Sequence, residues 1–178
     1  MHHVDHVGLI RAGVEGATDG PWADLGAGTG AFTLMKTLPA MGNNPTAIAI
    51  GDFNNDQKLD LAVSNNASNV VVMLGDGAFG FPRQVPIAVG TSPLGIVAGD
   101  FNGDNKLDLA VAIGAGSSVS VLLGRGTGDF DAPTSYPVSK TPSPIAIGDF
   151  NGDRKLDLVV GNYGGSNLSV LLGNGLGG

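Results

Sequence analysis

The chain has no cysteine, few aromatic residues and no long apolar run. None of its 178 residues is Cys, and aromatic residues make up 6%. The lack of cysteine excludes disulfides but does not identify the cellular compartment. Protein-binding surfaces are usually rich in aromatic residues, so this low content argues against a large one. No apolar run approaches about 18 residues, so we expect no membrane-spanning helix.

Basic residues are also scarce. The chain has 9 Lys and Arg against 16 Asp and Glu, a net charge of −7. No basic stripe is present, so the sequence argues against a nucleic-acid partner. The first residues show no basic stretch followed by an apolar one, so no signal peptide is predicted. Nine of the 16 acidic residues lie in three loops, and the remainder of the chain carries about +2. The negative charge of the chain is therefore concentrated in these three loops.

Three near-copies of one acidic loop punctuate the chain. They read GDFNNDQKLDLAV from Gly51, GDFNGDNKLDLAV from Gly99 and GDFNGDRKLDLVV from Gly148. Each loop is numbered here from its first Asp, and the residues of interest stand at positions 1, 3, 5, 7 and 9. These residues are Asp52, Asn54, Asp56, Lys58 and Asp60; Asp100, Asn102, Asp104, Lys106 and Asp108; and Asp149, Asn151, Asp153, Lys155 and Asp157.

This spacing is typical of a loop that wraps a hard cation. Side-chain oxygens at positions 1, 3, 5 and 9, with a backbone carbonyl at position 7, suit Ca²⁺, which takes six to eight oxygen ligands. Three carboxylates within nine residues repel each other unless a cation neutralises them. We therefore predict about three Ca²⁺ ions, with the lysines contributing only carbonyls and pointing their side chains to solvent. Mg²⁺ fits less well because it prefers few carboxylates and several waters. The alternative is a solvated turn without metal, since Asp and Asn favour turns in any case.

The loops recur with the period of a propeller blade. Asp52, Asp100 and Asp149 are 48 and 49 residues apart, and a Leu-Gly turn recurs every 49 residues at Leu25, Leu74, Leu123 and Leu172. Within one period, four runs bounded by Gly, Asn and Pro predict four short antiparallel strands. For the first full period these runs are Ala47–Ile50, Leu59–Val63, Val70–Leu74 and Phe81–Val89. Prolines in the fourth run, such as Pro82 and Pro86, predict an edge strand.

These motifs resemble the FG-GAP or VCBS-type repeats that build the β-propeller of integrin α chains and of many bacterial secreted proteins. The resemblance covers Leu25 to the C-terminus. It implies an all-β, integrin α-like partial β-propeller of about three four-stranded blades, with a structural or adhesion-type role outside the cell or at its surface. Such loops usually carry Gly at position 6, where this chain has Gln57, Asn105 and Arg154. Gln and Arg adopt left-handed backbone less readily than Asn. We therefore expect weaker binding at the first and third sites, or a different conformation of their sixth residue.

Residues 1–24 do not belong to the repeat, so we predict a boundary between segments 1–24 and 25–178. Residues 1–34 resemble the start of a class I S-adenosylmethionine-dependent methyltransferase, through Asp24 and the glycines Gly26, Gly28 and Gly30. The repeat accounts for the same glycines, because LGAGTGAF at Leu25 aligns with LGRGTGDF at Leu123. We therefore expect no enzyme activity. The alternative is a truncated methyltransferase N-terminus fused to repeats.

Three blades are fewer than the four that a closed propeller normally needs. The segment Phe32 to Met41 is predicted to add the fourth strand of the last blade. Open sheet edges and apolar faces favour self-association, so we expect either a homodimer that pools about six blades or a partial propeller that is unstable alone. A protein or glycan is the expected ligand of the module. The sequence is compatible with a fragment, a fusion or an engineered chain.

Overall fold

Each acidic loop joins two antiparallel strands. The computed structural model describes residues 36–38 and 44–178, and these contain eleven strands and a short 3-10 helix, Tyr163–Gly165. The strands are β1 (Pro45–Gly51), β2 (Asp60–Asn65), β3 (Asn69–Leu74), β4 (Arg83–Ala88), β5 (Pro93–Gly99), β6 (Asp108–Ile113), β7 (Ser118–Leu122), β8 (Thr134–Pro137), β9 (Pro142–Gly148), β10 (Asp157–Asn162) and β11 (Asn167–Leu171).

The strands form three antiparallel sheets, one for each repeat. Blade 1 has the order β1-β2-β3-β4, blade 2 the order β5-β6-β7-β8, and blade 3 the order β9-β10-β11. The prediction of an all-β, blade-like architecture is confirmed. Over residues 44–178 blade 3 has three strands rather than four. Of the predicted fourth strand, Phe32 to Met41, only residues 36–38 are described, and these three are not in a strand.

The strand boundaries follow the apolar runs closely. The predicted run Ala47–Ile50 lies inside β1, Val70–Leu74 lies inside β3, and β4 lies inside Phe81–Val89. The second strand begins at Asp60 rather than Leu59, because Asp60 pairs with Gly51 to close the hairpin. Both β4 and β8 are edge strands, as their prolines predicted: an edge strand can lose an N–H donor at little cost.

Two apolar layers hold the blades together. The first lies between blades 1 and 2 and contains Phe53, Val70, Val72, Leu74, Ile96, Leu109, Val111 and Leu122 among others. The second lies between blades 2 and 3 and contains Phe101, Val119, Val121, Leu158 and Val160. Because blade 2 is covered on both faces, every residue of β6 is buried. Its sequence, DLAVAI, accordingly lacks the polar alternation of a strand with one face in water.

The chain divides into two compact units, Met1–Leu38 and Pro39–Gly178. The boundary predicted between residues 24 and 25 lies outside the described residues and stays a prediction. Within the described ranges, no helix has the length and apolar character needed to cross a membrane.

Candidate metal centres

The three acidic loops are the connections between the first two strands of each blade. In every blade the Gly before position 1 pairs with the Asp at position 9, as Gly51 does with Asp60, Gly99 with Asp108 and Gly148 with Asp157. The eight residues between each pair therefore form a closed loop at one end of the blade. Because the pairing is the same three times, the predicted ligand positions occupy the same places in all three loops.

The Asp at position 1 organises the loop backbone. In the second loop Asp100 Oδ1 accepts hydrogen bonds from the backbone N–H groups of Gly103 and Asp104, at 2.7 and 3.2 Å, and its Oδ2 accepts one from Asn105 at 2.9 Å. Asp149 makes the same three contacts in the third loop. In the first loop Asp52 accepts from the N–H groups of Asp56 and Gln57. The acidic side chain is thus folded back over its own loop.

The side chains at positions 3 and 5 also accept hydrogen bonds from backbone N–H groups, in each case from the residue two positions further on. Asn102 Oδ1 accepts from the N–H of Asp104 at 3.0 Å, and Asp104 Oδ1 accepts from the N–H of Lys106 at 2.9 Å. The other two loops contain the same pair of bonds. These are local Asx turns, which Asp and Asn form readily. Each turn holds a side-chain oxygen within the loop, in the order that the sequence spacing predicted.

The residue at position 6 adopts a left-handed backbone in all three loops. The φ angles are 65° at Gln57, 62° at Asn105 and 66° at Arg154. The expectation that Gln57 and Arg154 could adopt a different conformation is therefore wrong. The hydrogen bonds from the position 6 N–H to the position 1 carboxylate impose the same turn on Gln and Arg, although left-handed backbone costs these residues free energy. Whether the first and third sites bind a cation more weakly stays a prediction.

The Asp at position 9 has a structural role that the spacing did not reveal. Asp60 is fully buried; its Oδ2 accepts from the N–H of Phe53 and its Oδ1 from the N–H of Gly75, both at 2.8 Å. Asp108 makes the equivalent bonds to Phe101 and Gly124, and Asp157 makes them in blade 3. The carboxylate therefore joins the acidic loop to the Leu-Gly turn. A sequence signal existed, because a Leu-Gly pair follows each position 9 Asp at nearly constant spacing.

The buried carboxylates lie in an unfavourable environment for charge. Burial raises the pKa of the Asp60 and Asp108 carboxyls above the ordinary aspartate value, while the backbone hydrogen bonds act in the opposite direction. The exposed carboxyls behave differently. The Lys106 ammonium lowers the pKa of Asp104, and the hydrogen bond from the Arg154 N–H lowers that of Asp149. These exposed carboxylates remain ionised at neutral pH.

The lysines at position 7 do not simply extend into solvent. Lys58 Nζ lies 3.2 Å from Asp56 Oδ2, Lys106 Nζ lies 2.8 Å from Asp104 Oδ2, and Lys155 pairs with Asp153 at 3.7 Å. The prediction that these side chains point to solvent is corrected in part: 38–44% of each lysine side chain is exposed, but its ammonium group turns back to the position 5 carboxylate. The ammonium group neutralises part of the loop charge because it forms an ion pair with the position 5 carboxylate.

The oxygen atoms of each acidic loop are of the kind that a hard divalent cation binds. Each loop contains three carboxylates, one amide oxygen and a backbone carbonyl within nine residues. Counting the lysine, the first and second loops carry a net charge of −2, and the third carries −1 because of Arg154. In the described part of the chain, no group of three or more His, Cys, Asp or Glu side chains is arranged so that it could hold a metal ion. A cation would therefore need the Asn oxygen and the carbonyl as well as the carboxylates.

Three antiparallel sheets stacked through apolar layers, each with one such loop, define a β-propeller-type repeat protein. Comparison with protein families agrees. The family described as FG-GAP-like repeat matches residues 59–111 and again 108–160, and the FG-GAP repeat matches residues 145–177. The chain belongs to the FG-GAP repeat family. No curated protein matches it significantly. The resemblance of residues 1–34 to a methyltransferase is not shown by these matches, and the segment lies outside the described residues.

Proposed function

We propose that each acidic loop binds one Ca²⁺ ion and that the blades form a calcium-stabilised interaction module. The observation that carries this proposal is the threefold recurrence of one backbone arrangement. Side-chain oxygens of positions 1, 3 and 5 are held within each loop by bonds from the loop's own N–H groups. A carboxylate oxygen has more than one lone pair, so an oxygen that accepts an N–H can also bind a cation.

Binding would relieve charge repulsion at the blade ends. In the second loop Asp100, Asp104 and Asp108 place three acidic groups in nine residues, and only Lys106 opposes them. A divalent ion would neutralise the remaining charge of −2 and replace the ammonium at Asp104 Oδ2. Ca²⁺ is favoured over Mg²⁺ because Ca²⁺ accepts many carboxylate and carbonyl oxygens in flexible geometry. Three ions would bring the net charge of the chain from −7 to −1.

Calcium would also stabilise the contact between consecutive blades. The residue at position 2 of a loop, such as Phe53 or Phe101, lies in the apolar layer that joins its blade to the next. The Asp at position 1, which directly precedes this Phe, would hold the ion together with the Asp at position 9, so one ion ligand and one residue of the layer are neighbours in the chain. An ordered loop therefore supports an ordered interface.

The role that fits this arrangement is structural or adhesive, with a protein or glycan as ligand. The acidic loops and the Leu-Gly turns lie at the same end of each blade, because the position 9 Asp binds both. That end presents polar, metal-ordered connections on a rigid sheet scaffold, which is where binding residues commonly reside. We propose an extracellular or surface location, where calcium modules with millimolar to sub-millimolar affinity are saturated. No residue set in the described chain argues for catalysis.

Calcium binding can be tested by thermal unfolding with Ca²⁺ and with excess chelator. A ligand that binds only the folded state adds about 2.7 kcal/mol per site at a hundredfold excess over its dissociation constant. The variant Asp104→Asn should lose part of this gain. Asp131→Asn, which removes one exposed charge outside the loops, should retain it. Identical unfolding midpoints with calcium and with chelator would contradict the proposal, and titration calorimetry would count the sites.

A further inference from the structure

The second and third acidic loops contain an Asn-Gly pair at positions 3 and 4. Both loops read Phe-Asn-Gly-Asp here, with the pair at Asn102 and Gly103 in one loop and at Asn151 and Gly152 in the other. Both glycines are exposed, and the space beside each is open in the described part of the chain. Water therefore reaches the backbone of both pairs.

An Asn-Gly pair is able to modify itself, with water as the only other reactant. The glycine nitrogen, once it loses its proton, forms a bond to Cγ of the asparagine. The bond from Cγ to Nδ2 then breaks, and ammonia leaves with that proton. Water opens the resulting succinimide ring at either carbonyl carbon, which yields Asp or isoaspartate. The reaction is fastest before glycine, because glycine has no side chain to hinder the approach of the nitrogen.

The Asp at position 1 holds the attacking nitrogen in both loops. Asp100 Oδ1 accepts a hydrogen bond from the Gly103 N–H at 2.7 Å, and Asp149 Oδ1 accepts one from the Gly152 N–H at 2.7 Å. A carboxylate beside this N–H opposes loss of the proton, because its charge repels the negative charge that would form on the nitrogen. The aspartate that organises the loop backbone therefore also restrains this reaction.

The reaction would alter the turn that the asparagine forms. Asn102 Oδ1 accepts from the N–H of Asp104 at 3.0 Å, and Asn151 Oδ1 accepts from the N–H of Asp153 at 2.9 Å. Conversion of Asn102 to Asp would add one negative charge to the −2 that the second loop already carries. Conversion to isoaspartate would lengthen the backbone through the former side chain and remove the Asx turn. Either product changes the loop at one of its predicted ligand positions.

The first loop lacks the glycine. Its position 3 residue, Asn54, forms the same turn to the N–H of Asp56, at 3.1 Å, but the next residue is Asn55. The side chain of Asn55 hinders attack by its own backbone nitrogen. We therefore expect Asn54 to be much less reactive, although its loop has nearly the same backbone.

We propose that the position 3 asparagines of the second and third loops, Asn102 and Asn151, are deamidation sites at which the position 1 carboxylate slows the reaction. The test is peptide mapping by mass spectrometry of the full chain after incubation at mildly alkaline pH. Each event replaces an NH₂ group with OH and raises the mass of its peptide. Chelator is present throughout, so the result does not depend on whether the loops bind calcium. Asn102 and Asn151 should convert in the folded chain, and Asn54 should not.

The unfolded chain provides the reference rate. In urea both pairs should convert faster than in the folded chain and at equal rates, because their local sequences are the same. In the folded chain, Asp100→Asn should raise the rate at Asn102 about fivefold, as expected when one charge near a developing anion is removed. Asn151 in the same sample should keep its rate. Asp104→Asn is the matched control, because it removes a charge from the same loop but leaves the bond to the Gly103 N–H in place, and should have a smaller effect.

A gain of reactivity provides the converse test, since Asn55→Gly should make Asn54 convert. Conversion of Asn54 as fast as Asn102 in the wild type, or no conversion at either Asn-Gly pair of the folded chain, would overturn the assignment of these sites. An unchanged rate in Asp100→Asn, or an equal rise in Asp104→Asn, would overturn the role of the position 1 carboxylate. So would a rate in folded Asp100→Asn equal to that in urea, because the loop would then simply have unfolded.

Discussion

The carboxylate of Asp108 binds the backbone N–H of Gly124 at 2.8 Å, and this contact links the two motifs that recur most clearly in the chain. The same side chain binds the N–H of Phe101, whose ring enters the layer between blades 2 and 3. One buried carboxylate thus connects the acidic loop, the Leu-Gly turn and the packing of neighbouring blades. The equivalent bonds of Asp60 and Asp157 make this a property of every repeat.

Removing this carboxylate should destabilise the fold even without calcium. Asp108→Ala leaves the N–H groups of Phe101 and Gly124 buried without an acceptor, and each such group costs about 1–3 kcal/mol. We expect a loss of about 3 kcal/mol in the free energy of unfolding, measured by urea denaturation in chelator. Asp131→Ala, at an exposed site, should change it by less than about 0.5 kcal/mol. Equal stability of Asp108→Ala and the wild type in chelator would show that position 9 acts only through metal.

The glycine of the Leu-Gly turn should tolerate no side chain. A Cβ at Gly124 would overlap the carbonyl oxygen of Leu107, so Gly124→Ala must displace backbone, at a cost of about 2–3 kcal/mol. The matched control is Gly103→Asn. Gly103 has a φ of 76° but open space around it, and Asn55 occupies the equivalent position with a φ of 59°. Thermal unfolding should show a large loss for the first variant and a small one for the second, and a reversed order would refute this reading.

Position 6 offers a stabilising substitution. Gln57 has a φ of 65°, and left-handed backbone costs a non-glycine residue about 1–2 kcal/mol. Replacing Gln57 with Gly would remove this cost, but part of the gain in stability is offset because Gly is more flexible in the unfolded chain. Gln57→Gly should therefore raise the free energy of unfolding by about 0.5–1 kcal/mol without altering charge. The comparison is Gln84→Gly in β4, which should lower it because Gly weakens a strand. A fall in stability for Gln57→Gly would disprove the prediction.

The position 7 lysine should compete with calcium. Lys106 Nζ lies 2.8 Å from Asp104 Oδ2, so replacing the ammonium with an apolar group leaves the loop more negative. Lys106→Met keeps most of the side-chain stem and should tighten calcium binding by about fivefold, a change of roughly 1 kcal/mol as expected for one charge near water. Calorimetric titration would measure it. Lys140→Met, between β8 and β9, should leave the affinity unchanged, and weaker binding by Lys106→Met would mean that the lysine supports the site.

An ion pair between blades should contribute a small, pH-dependent stabilisation. Arg83 of blade 1 donates hydrogen bonds to the Thr127 carbonyl and to Asp129 of blade 2. The hydrogen bond from Arg83 lowers the pKa of Asp129. The folded state therefore binds this proton more weakly than the unfolded state, so the stabilisation is present above the unfolded pKa of about 3.9 and is lost as the pH falls through the folded pKa.

Comparing the wild type with Arg83→Gln would reveal this pair. The difference in the free energy of unfolding should be small at pH 7, because both groups are exposed, and should shrink at low pH and at high salt. The control is Arg125→Gln, which breaks an ion pair with Asp131 inside a single turn. This variant should leave the contact between blades unaffected. If the difference in the free energy of unfolding between the wild type and Arg83→Gln stays constant from pH 7 to pH 3, the effect of the substitution comes from packing rather than from charge.

Much of the fold was predictable because the information is local. Short apolar runs bounded by Gly, Asn and Pro led to β1, β3 and β4, and the prolines marked the edge strands. The positions of the side-chain oxygens within the loops were predictable for the same reason, since Asx turns depend only on residues a few positions apart. That these oxygens bind Ca²⁺ stays a prediction. Sequence reasoning was less successful with Lys58, Lys106 and Lys155, whose side chains turn back to position 5. Local spacing does not state which way a long flexible side chain points.

The sequence by itself determined the period, the strands and the chemistry of the three loops, because a repeated local pattern produces the same hairpin each time. Only the tertiary structure decided the double role of the position 9 Asp, which binds Gly75 or Gly124 across 15 or 16 residues of chain. It also decided which apolar faces are covered. Phe53 and Phe150 stand in the same motif, yet one is buried and the other exposed. The difference arises from the next blade, which packs on Phe53 and not on Phe150.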